Sequence, residues 1–167
     1  MRGQGVRRLT RLVVILLGAV VPASAEQVYT DFDLAGWGRL GLLQANSSPL
    51  DIGSPADLMD RSNGTSVRTK SSSATFMLTF SPTQVVREVS LQPGSRDPYL
   101  VSLTVVAEDG RRFAAGEIEV EKGRVARFRL RNVPTTKLEF AVERSDETGP
   151  VYVAELKVLG EVNVDRI

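Results

Sequence analysis

From residue 75 onward, apolar and polar residues alternate along the chain in short segments, which is the pattern of β-strands with one buried face. The first segment places Phe76, Leu78 and Phe80 on one face and ends at residues 81–83. Further segments of this kind lie at 85–91, 101–105, 117–120, 125–130 and 137–143, separated by turn-forming residues. Beyond residue 25, only residues 55–61, with Ser54 as the cap, have the pattern of a helical turn. Seven or eight short strands predict an all-β protein, an antiparallel β-sandwich with jelly-roll topology.

The same alternation selects the side chains that should be buried between the two sheets of such a sandwich. These predicted core residues are Phe76, Leu78, Phe80, Val89, Leu103, Val105, Phe128, Leu130, Leu138 and Phe140. Their burial is expected to provide much of the hydrophobic stabilisation of the domain.

The last predicted strand, residues 151–160, is an apolar run with one carboxylate, Glu155, in the middle. Such a strand is typical of a fully buried position in a sheet. An ionised glutamate is almost never buried there without a partner. Residues 60–65, a loop of oxygen-bearing side chains with a glycine, are the candidate partner segment. We therefore predict that Glu155 meets this loop and that a cation or a basic side chain neutralises the pair.

The first 25 residues have the three parts of a secretory signal peptide. A basic start with four arginines precedes an apolar core at residues 12–21, and Ala23-Ser24-Ala25 forms a small-residue cleavage site. The apolar core is shorter than the ~20 residues of a membrane-spanning helix. We predict cleavage after Ala25, no membrane span in the mature chain, and a secreted or periplasmic protein.

Charge and composition narrow the function classes. Removing the four arginines of residues 1–25 from the 21 basic residues leaves 17 against 20 acidic ones, and no basic patch indicates nucleic-acid binding. The absence of histidine and cysteine excludes imidazole and thiolate nucleophiles, zinc sites built on them, and disulfides. Carboxylate chemistry remains, but no pair of acids is nominated for glycoside hydrolysis. We predict a protein that is not an enzyme.

Residues 26–54 are rich in glycine and show no regular periodicity, so we predict an irregular N-terminal segment before the domain. The single tryptophan, Trp37, stands between Gly36 and Gly38. It is either an exposed aromatic platform or a side chain that fills the edge of the core.

Two motifs, an early loop and the closing strand, carry a resemblance to a known family. The loop is Asp60-Arg61-Ser62-Asn63-Gly64-Thr65, after a short turn of helix, and the strand is Val153-Ala154-Glu155-Leu156-Lys157-Val158-Leu159-Gly160. They resemble the galactose-binding-like jelly rolls, which include discoidin (coagulation-factor type C) domains and many bacterial carbohydrate-binding modules. Arg61 and Val67 stand where that family has Gly and Trp. The resemblance covers residues 55–160 and implies a discoidin-like jelly-roll domain over residues 55–167.

In that family the loop and the closing glutamate hold a structural calcium ion. The resemblance implies an oxygen-only ligand set of the kind calcium takes: the carboxylates of Asp60 and Glu155, the hydroxyl or carbonyl of Thr65, and the carbonyls of Ser62, Leu58 and Ala154. The alternative is that the ion has been lost. Glu155 would then pair with Arg61, Arg68 or Lys70.

The resemblance also implies a sugar site in variable loops near one end of the jelly roll. The candidate ligand-binding residues are Trp37, Arg96, Asp97 and Tyr99, the last three in the segment 92–99, which is otherwise a solvated connection. We predict a non-catalytic binding module that recognises a glycan or a protein surface. The alternative function is that of a structural or assembly protein that contacts a partner through the Trp37 segment.

Overall fold

The computed structural model describes residues 32–33, 41–62 and 64–161, and most of them lie in antiparallel strands. In chain order the described strands are β1 Phe32–Asp33, β2 Leu43–Ser47, β3 Leu50–Ile52, β4 Val67–Thr69, β5 Ser73–Pro93, β6 Tyr99–Ala107, β7 Arg112–Val120, β8 Ala126–Arg144 and β9 Tyr152–Glu161. A single turn of 3-10 helix, Pro55–Met59, lies between β3 and β4. The Ser54 N–H donates to Asp57 Oδ2 at 2.8 Å and so satisfies a backbone donor at the start of this helix.

The two longest strands, β5 and β8, pair along most of their lengths and connect the two layers of the sandwich. The first half of β5 and the second half of β8 form one sheet with β2, β6 and β7. The second half of β5 and the first half of β8 form the other sheet with β9, which also pairs with β4 and β1. The paired strands β5 and β8 pass from one sheet to the other at a register shift between Thr79 and Gln84. Strands that belong to both sheets of a sandwich commonly bend at such irregularities. The predicted all-β sandwich is confirmed.

Apolar side chains of the two sheets meet in one core. Phe76 is paired with Phe140 and Leu78 with Leu138 across β5 and β8, so large side chains stand side by side on the inner face. Every predicted core residue is buried except Leu130, which is partly buried and packs against the rest. The period-two alternation therefore identified the core correctly.

At two places the structure has one continuous strand where the sequence predicts two shorter ones. The sequence predicts that a strand ends at residues 81–83, whereas β5 continues through a cis Ser81–Pro82 bond to Pro93. Proline lacks a backbone donor, but Pro82 lies at the register shift, where the ladder to β8 is already interrupted. The two predicted segments 125–130 and 137–143 are likewise halves of one strand, β8.

The N-terminal segment also contributes to the sheets, contrary to its prediction as irregular. Within residues 26–54, β2 pairs with β5 and β3 pairs with β4, and Leu43 belongs to the core. The sheet therefore begins before residue 55. Both strands are short, of five and three residues, and long-range pairing rather than local alternation forms them. No helix among the described residues is long and apolar enough to cross a membrane.

Candidate functional site

The oxygen-rich loop at residues 60–65 is closed by its own hydrogen bonds. The carboxylate of Asp60 accepts from the Ser62 N–H at 2.7 Å and from the Thr65 hydroxyl at 2.5 Å. The Thr65 N–H donates to the Ser62 carbonyl at 3.4 Å. Arg61 adopts a left-handed backbone with φ of 62°, where the resembled family has glycine. Asp60 thus acts as the acceptor that holds the loop together.

Glu155 is buried, as its setting in the closing strand predicts, but its side chain lies on the outer face of the sheet. Its neighbour Leu156 faces the core opposite Leu91, whereas Glu155 is paired with Gln92. Side chains alternate between the two faces of a strand, so Glu155 and Gln92 point away from the core. Only 5 % of the Glu155 side chain is exposed.

A pocket of about 160 Å³ occupies this outer face, formed by β9, β5 and the start of β8. It is lined by Ser90, Gln92, Val125, Arg127, Glu155 and Lys157. We call it the outer-face pocket. Its lining combines a carboxylate, an amide, a hydroxyl, two cationic groups and one exposed apolar side chain. This set offers both donors and acceptors to a polar ligand.

Cross-strand pairing places the pocket residues in rows. Ser90 is paired with Lys157 on one side and with Arg127 on the other, so two cationic side chains flank one hydroxyl. In the next row Glu88 is paired with Arg129, and their charged groups lie 4.0 Å apart. The central row therefore carries two positive charges.

The carboxylate of Glu155 is neutralised within the pocket by Lys157, whose Nζ lies 3.7 Å from Glu155 Oε2. The Lys157 side chain is about half exposed, with 53 % of its surface accessible. Lys157 is not one of the three basic residues named by the sequence, and of those Arg68 forms an ion pair with Asp51. Two residues apart on one strand, Glu155 and Lys157 share a face and need no other segment to meet.

The residues predicted as calcium ligands lie on neighbouring elements, but the described contacts do not join them into one site. Leu58 is buried, and its short helix packs against β9, which carries Ala154 and Glu155. The Asp60 carboxylate accepts two hydrogen bonds inside the loop, and Glu155 lines the outer-face pocket, to which none of the described loop residues contributes. Among the described residues no three acidic side chains lie close enough to hold a metal ion. The calcium site remains a prediction.

Of the predicted sugar-contacting residues, Tyr99 is in the core, and its prediction as a loop aromatic is wrong. It is the first residue of β6, has no exposed surface and donates its hydroxyl to the Tyr152 carbonyl at 3.4 Å. Burial raises the pKa of this hydroxyl above its ordinary value. Its ring cannot stack on a ligand because it is buried. The apolar alternation of β6 begins at Tyr99, two residues before the start of the predicted segment 101–105.

Arg96 and Asp97 lie in the exposed connection between β5 and β6. Asp97 is held by Arg144, whose guanidinium is 3.1 Å from the Asp97 carboxylate and 2.6 Å from that of Asp146. The hydrogen bond from Arg144 keeps the pKa of Asp146 well below its usual range. The connection is therefore tied to the end of β8. Trp37 lies outside the described residues.

Comparison with known proteins identifies the fold. No protein-family model matches the chain, and no curated protein matches it in sequence. Among solved structures, the fifth CBM32 module of a Clostridium perfringens GH89 protein, in complex with GalNAc-β-1,3-galactose, superposes with a TM-score of 0.59 at 16 % identity, covering 71 % of this chain and 95 % of that one. The family 32 carbohydrate-binding module of C. perfringens NanJ, in complex with galactose, gives 0.59 at 13 % identity, with 71 % and 94 % covered. The chain has the galactose-binding-like fold.

A longer protein also contains this galactose-binding-like fold. A Ruminococcus gnavus GH29 fucosidase, in complex with fucose, superposes with a TM-score of 0.66 at 14 % identity, and the match covers 79 % of this chain. The chain spans only 27 % of that fucosidase. At these identities the likeness concerns the fold alone, and it confirms the galactose-binding-like fold that the resemblance implies.

Within this galactose-binding-like sandwich, sequence reasoning found one member of the outer-face pocket, Glu155, and missed the others. Ser90, Gln92, Arg127 and Lys157 occupy polar positions of alternating strands, which any solvated sheet face also has. The one available signal was the buried acid itself, because it requires polar neighbours on its own face of the sheet.

Proposed function

We propose that this protein is a non-catalytic glycan-binding module and that the outer-face pocket is its sugar site. The observation that supports it most directly is this pocket of mixed donors and acceptors, built around a buried carboxylate on a galactose-binding-like sandwich. Structural neighbours of the same fold are carbohydrate-binding modules in complex with galactose and with GalNAc-β-1,3-galactose.

The pocket chemistry suits a sugar ring. Sugar hydroxyls both donate and accept, so a carboxylate such as Glu155 and an amide such as Gln92 can each engage neighbouring hydroxyls. Val125, which is 37 % exposed, offers an apolar wall for the C–H face of a ring. At about 160 Å³ the pocket is smaller than the ~300–1,000 Å³ of typical ligand sites. It is suited to one sugar unit of a longer chain.

The arrangement of acids supports binding without hydrolysis. Glycosidases place two carboxyl groups on either side of the scissile bond, about 5–10 Å apart. Among the described residues Glu155 is the one acid that lines the outer-face pocket, and it is held by Lys157. We therefore propose that the bound glycan is released unchanged.

Affinity electrophoresis through gels containing soluble polysaccharides, followed by calorimetry with the retarding glycan, tests this function. Gln92→Ala should weaken binding by roughly tenfold, the value of one or two lost hydrogen bonds. Gln44→Ala is the matched control, because Gln44 is an exposed glutamine on β2, in the other sheet. No retardation by any neutral or charged glycan would refute the function, and equal affinity of the two variants would refute the site.

Export is part of the same proposal. The signal-peptide pattern of residues 1–25 supports a secreted or periplasmic protein with a mature chain that begins at Glu26. N-terminal sequencing of the protein recovered outside the cytoplasm should start at Glu26. A product that retains Met1 in that fraction would contradict cleavage.

Calcium remains the proposed stabilising ion of the loop at residues 60–65. A cation bound through Leu58, Asp60, Ser62 and Thr65 on one side and through Ala154 and Glu155 on the other would join the loop and its short helix to β9. The ion would replace the internal hydrogen bonds that Asp60 accepts from Ser62 and Thr65. Its contribution is to stability and not to chemistry.

A further inference from the structure

The outer-face pocket carries more positive charge than a site for a neutral sugar requires. Arg127 and Lys157 flank Ser90 in the central row. Neighbouring strands are about 4.8 Å apart, so the backbones of these two residues are separated by about 10 Å with the Ser90 hydroxyl between them. An anionic group placed over Ser90 would be within reach of both long side chains.

Of the two cations, Lys157 has an acidic partner and Arg127 has none among the described residues. Lys157 shares its charge with Glu155 at 3.7 Å. Within the described part of the chain, Arg127 forms no ion pair, and its side chain is exposed. An unpaired guanidinium at the edge of a pocket presents a planar fork that matches a carboxylate or a sulfate.

Charge continues along β8 beyond the pocket. Arg129 follows Arg127 on the same face about 6.7 Å further along the strand, and its side chain is 91 % exposed. Arg131 is also exposed, and residues 126–133 pair with β5 alone among the described strands. A row of cations thus leads away from the pocket along an open edge of the sheet.

The rest of the domain does not share this charge. The outer face of the other sheet carries four acids and two bases at paired positions of β7 and β8 around β6: Glu117, Glu119, Glu139, Glu143, Arg112 and Lys137. The mature chain has an excess of acidic residues. The row of cations along β8 is therefore a local feature of one face, and an anionic chain would be drawn to that face rather than to the opposite one, where acids outnumber bases.

We infer that the ligand is an anionic glycan whose carboxylate or sulfate group binds over Ser90 between Arg127 and Lys157. This inference rests on the proposed glycan-binding function. The ring hydroxyls of the same sugar unit are placed against Gln92 and Glu155, and the next anionic unit of the chain lies along Arg129. Glu155 tolerates the bound anion because Lys157 neutralises it.

Matched pairs of polymers test this inference. Polygalacturonate and its fully methyl-esterified form differ in the charge of the carboxyl group, and dextran sulfate and dextran differ in the sulfate. Calorimetry at two salt concentrations should show binding of at least one anionic member, at least tenfold tighter than its neutral partner and weakened by salt, since exposed charges are screened. The pair with the larger difference identifies the substituent.

Variants separate a specific site from general attraction. Arg127→Gln and Lys157→Gln should each weaken binding of the anionic polymer by roughly ten- to a hundredfold, the range of one charge-assisted hydrogen bond. Arg112→Gln is the control, because Arg112 is an exposed arginine on β7 whose partner is Glu139. Thermal melting confirms that each variant is folded.

The outcomes distinguish this inference from the proposed function. Equal affinity for charged and neutral polymers, with Arg127→Gln unchanged, overturns the anionic ligand and leaves glycan binding in place. An equal loss in all three variants overturns the site and indicates attraction to general surface charge. Failure of every polymer to bind overturns both proposals.

Discussion

The ion pair between Glu155 and Lys157 is the interaction on which the outer-face pocket depends, and a double-mutant cycle measures it. Glu155→Gln removes the charge at nearly constant volume, and Lys157→Met removes the ammonium while keeping an unbranched side chain. The cycle compares the unfolding free energies of both single variants and the double variant with that of the original protein.

The structure sets the expected magnitude. Two unit charges 3.7 Å apart attract by about 1 kcal/mol in bulk water and by about 4 kcal/mol at the effective dielectric constant of a protein surface. Glu155 is almost fully buried, whereas Lys157 is half exposed, so screening and the lost freedom of the lysine reduce the gain. We expect a coupling energy of about 1 kcal/mol. Lys157→Met alone should cost about 1–3 kcal/mol, because it leaves a buried carboxylate without its partner.

Urea unfolding followed by circular dichroism gives the four free energies, with the slope checked for constancy across variants. Lys157→Met should destabilise more than Glu155→Gln does. It leaves the buried Glu155 carboxylate unpaired, whereas in Glu155→Gln the half-exposed lysine can still be hydrated. A coupling energy below about 0.3 kcal/mol would refute the reasoning, as additive effects mean that the two groups do not interact. In that case Glu155 must be neutralised by another partner.

Three further predictions concern the framework. Phe140→Ala should cost about 3–5 kcal/mol in urea unfolding because Phe140 is fully buried, whereas Phe113→Ala, which is 38 % exposed on β7, should cost much less; equal losses would contradict the assigned core. Gly94→Ala should lower the melting temperature, because an added Cβ would lie 3.1 Å from the Cβ atoms of Ser66 and Tyr152, and an unchanged melt would show that this contact relaxes freely. If calcium binds the folded state only, a hundredfold excess over Kd should stabilise it by about 2.7 kcal/mol relative to chelator, and an unchanged midpoint would remove the ion.

The sequence by itself determined most of the buried side chains of the strands from residue 75 onward, with Tyr99 as an exception. Alternation is a property of a few consecutive residues, and the two faces of a pleated strand follow from it directly. For this reason Phe76 and Phe140 were identified before the sheets were known, whereas the burial of Glu155 was inferred from the continuous apolar run around it. The loop and closing-strand motifs pointed to the galactose-binding-like fold, which the structural comparison confirms.

The tertiary structure decided how these strands are joined and which residues share a face across them. Ser90, Arg127 and Lys157 are 30 to 67 positions apart in the sequence, and only the register of β5 with β8 and β9 places them in one row. Register depends on long-range pairing and on shifts such as the one at Gln92 and Pro93, which local patterns do not encode. The partner of Glu155 was missed for this reason: the sequence showed that a buried acid needs a neutralising group, and only the packed sheet showed that Lys157 provides it.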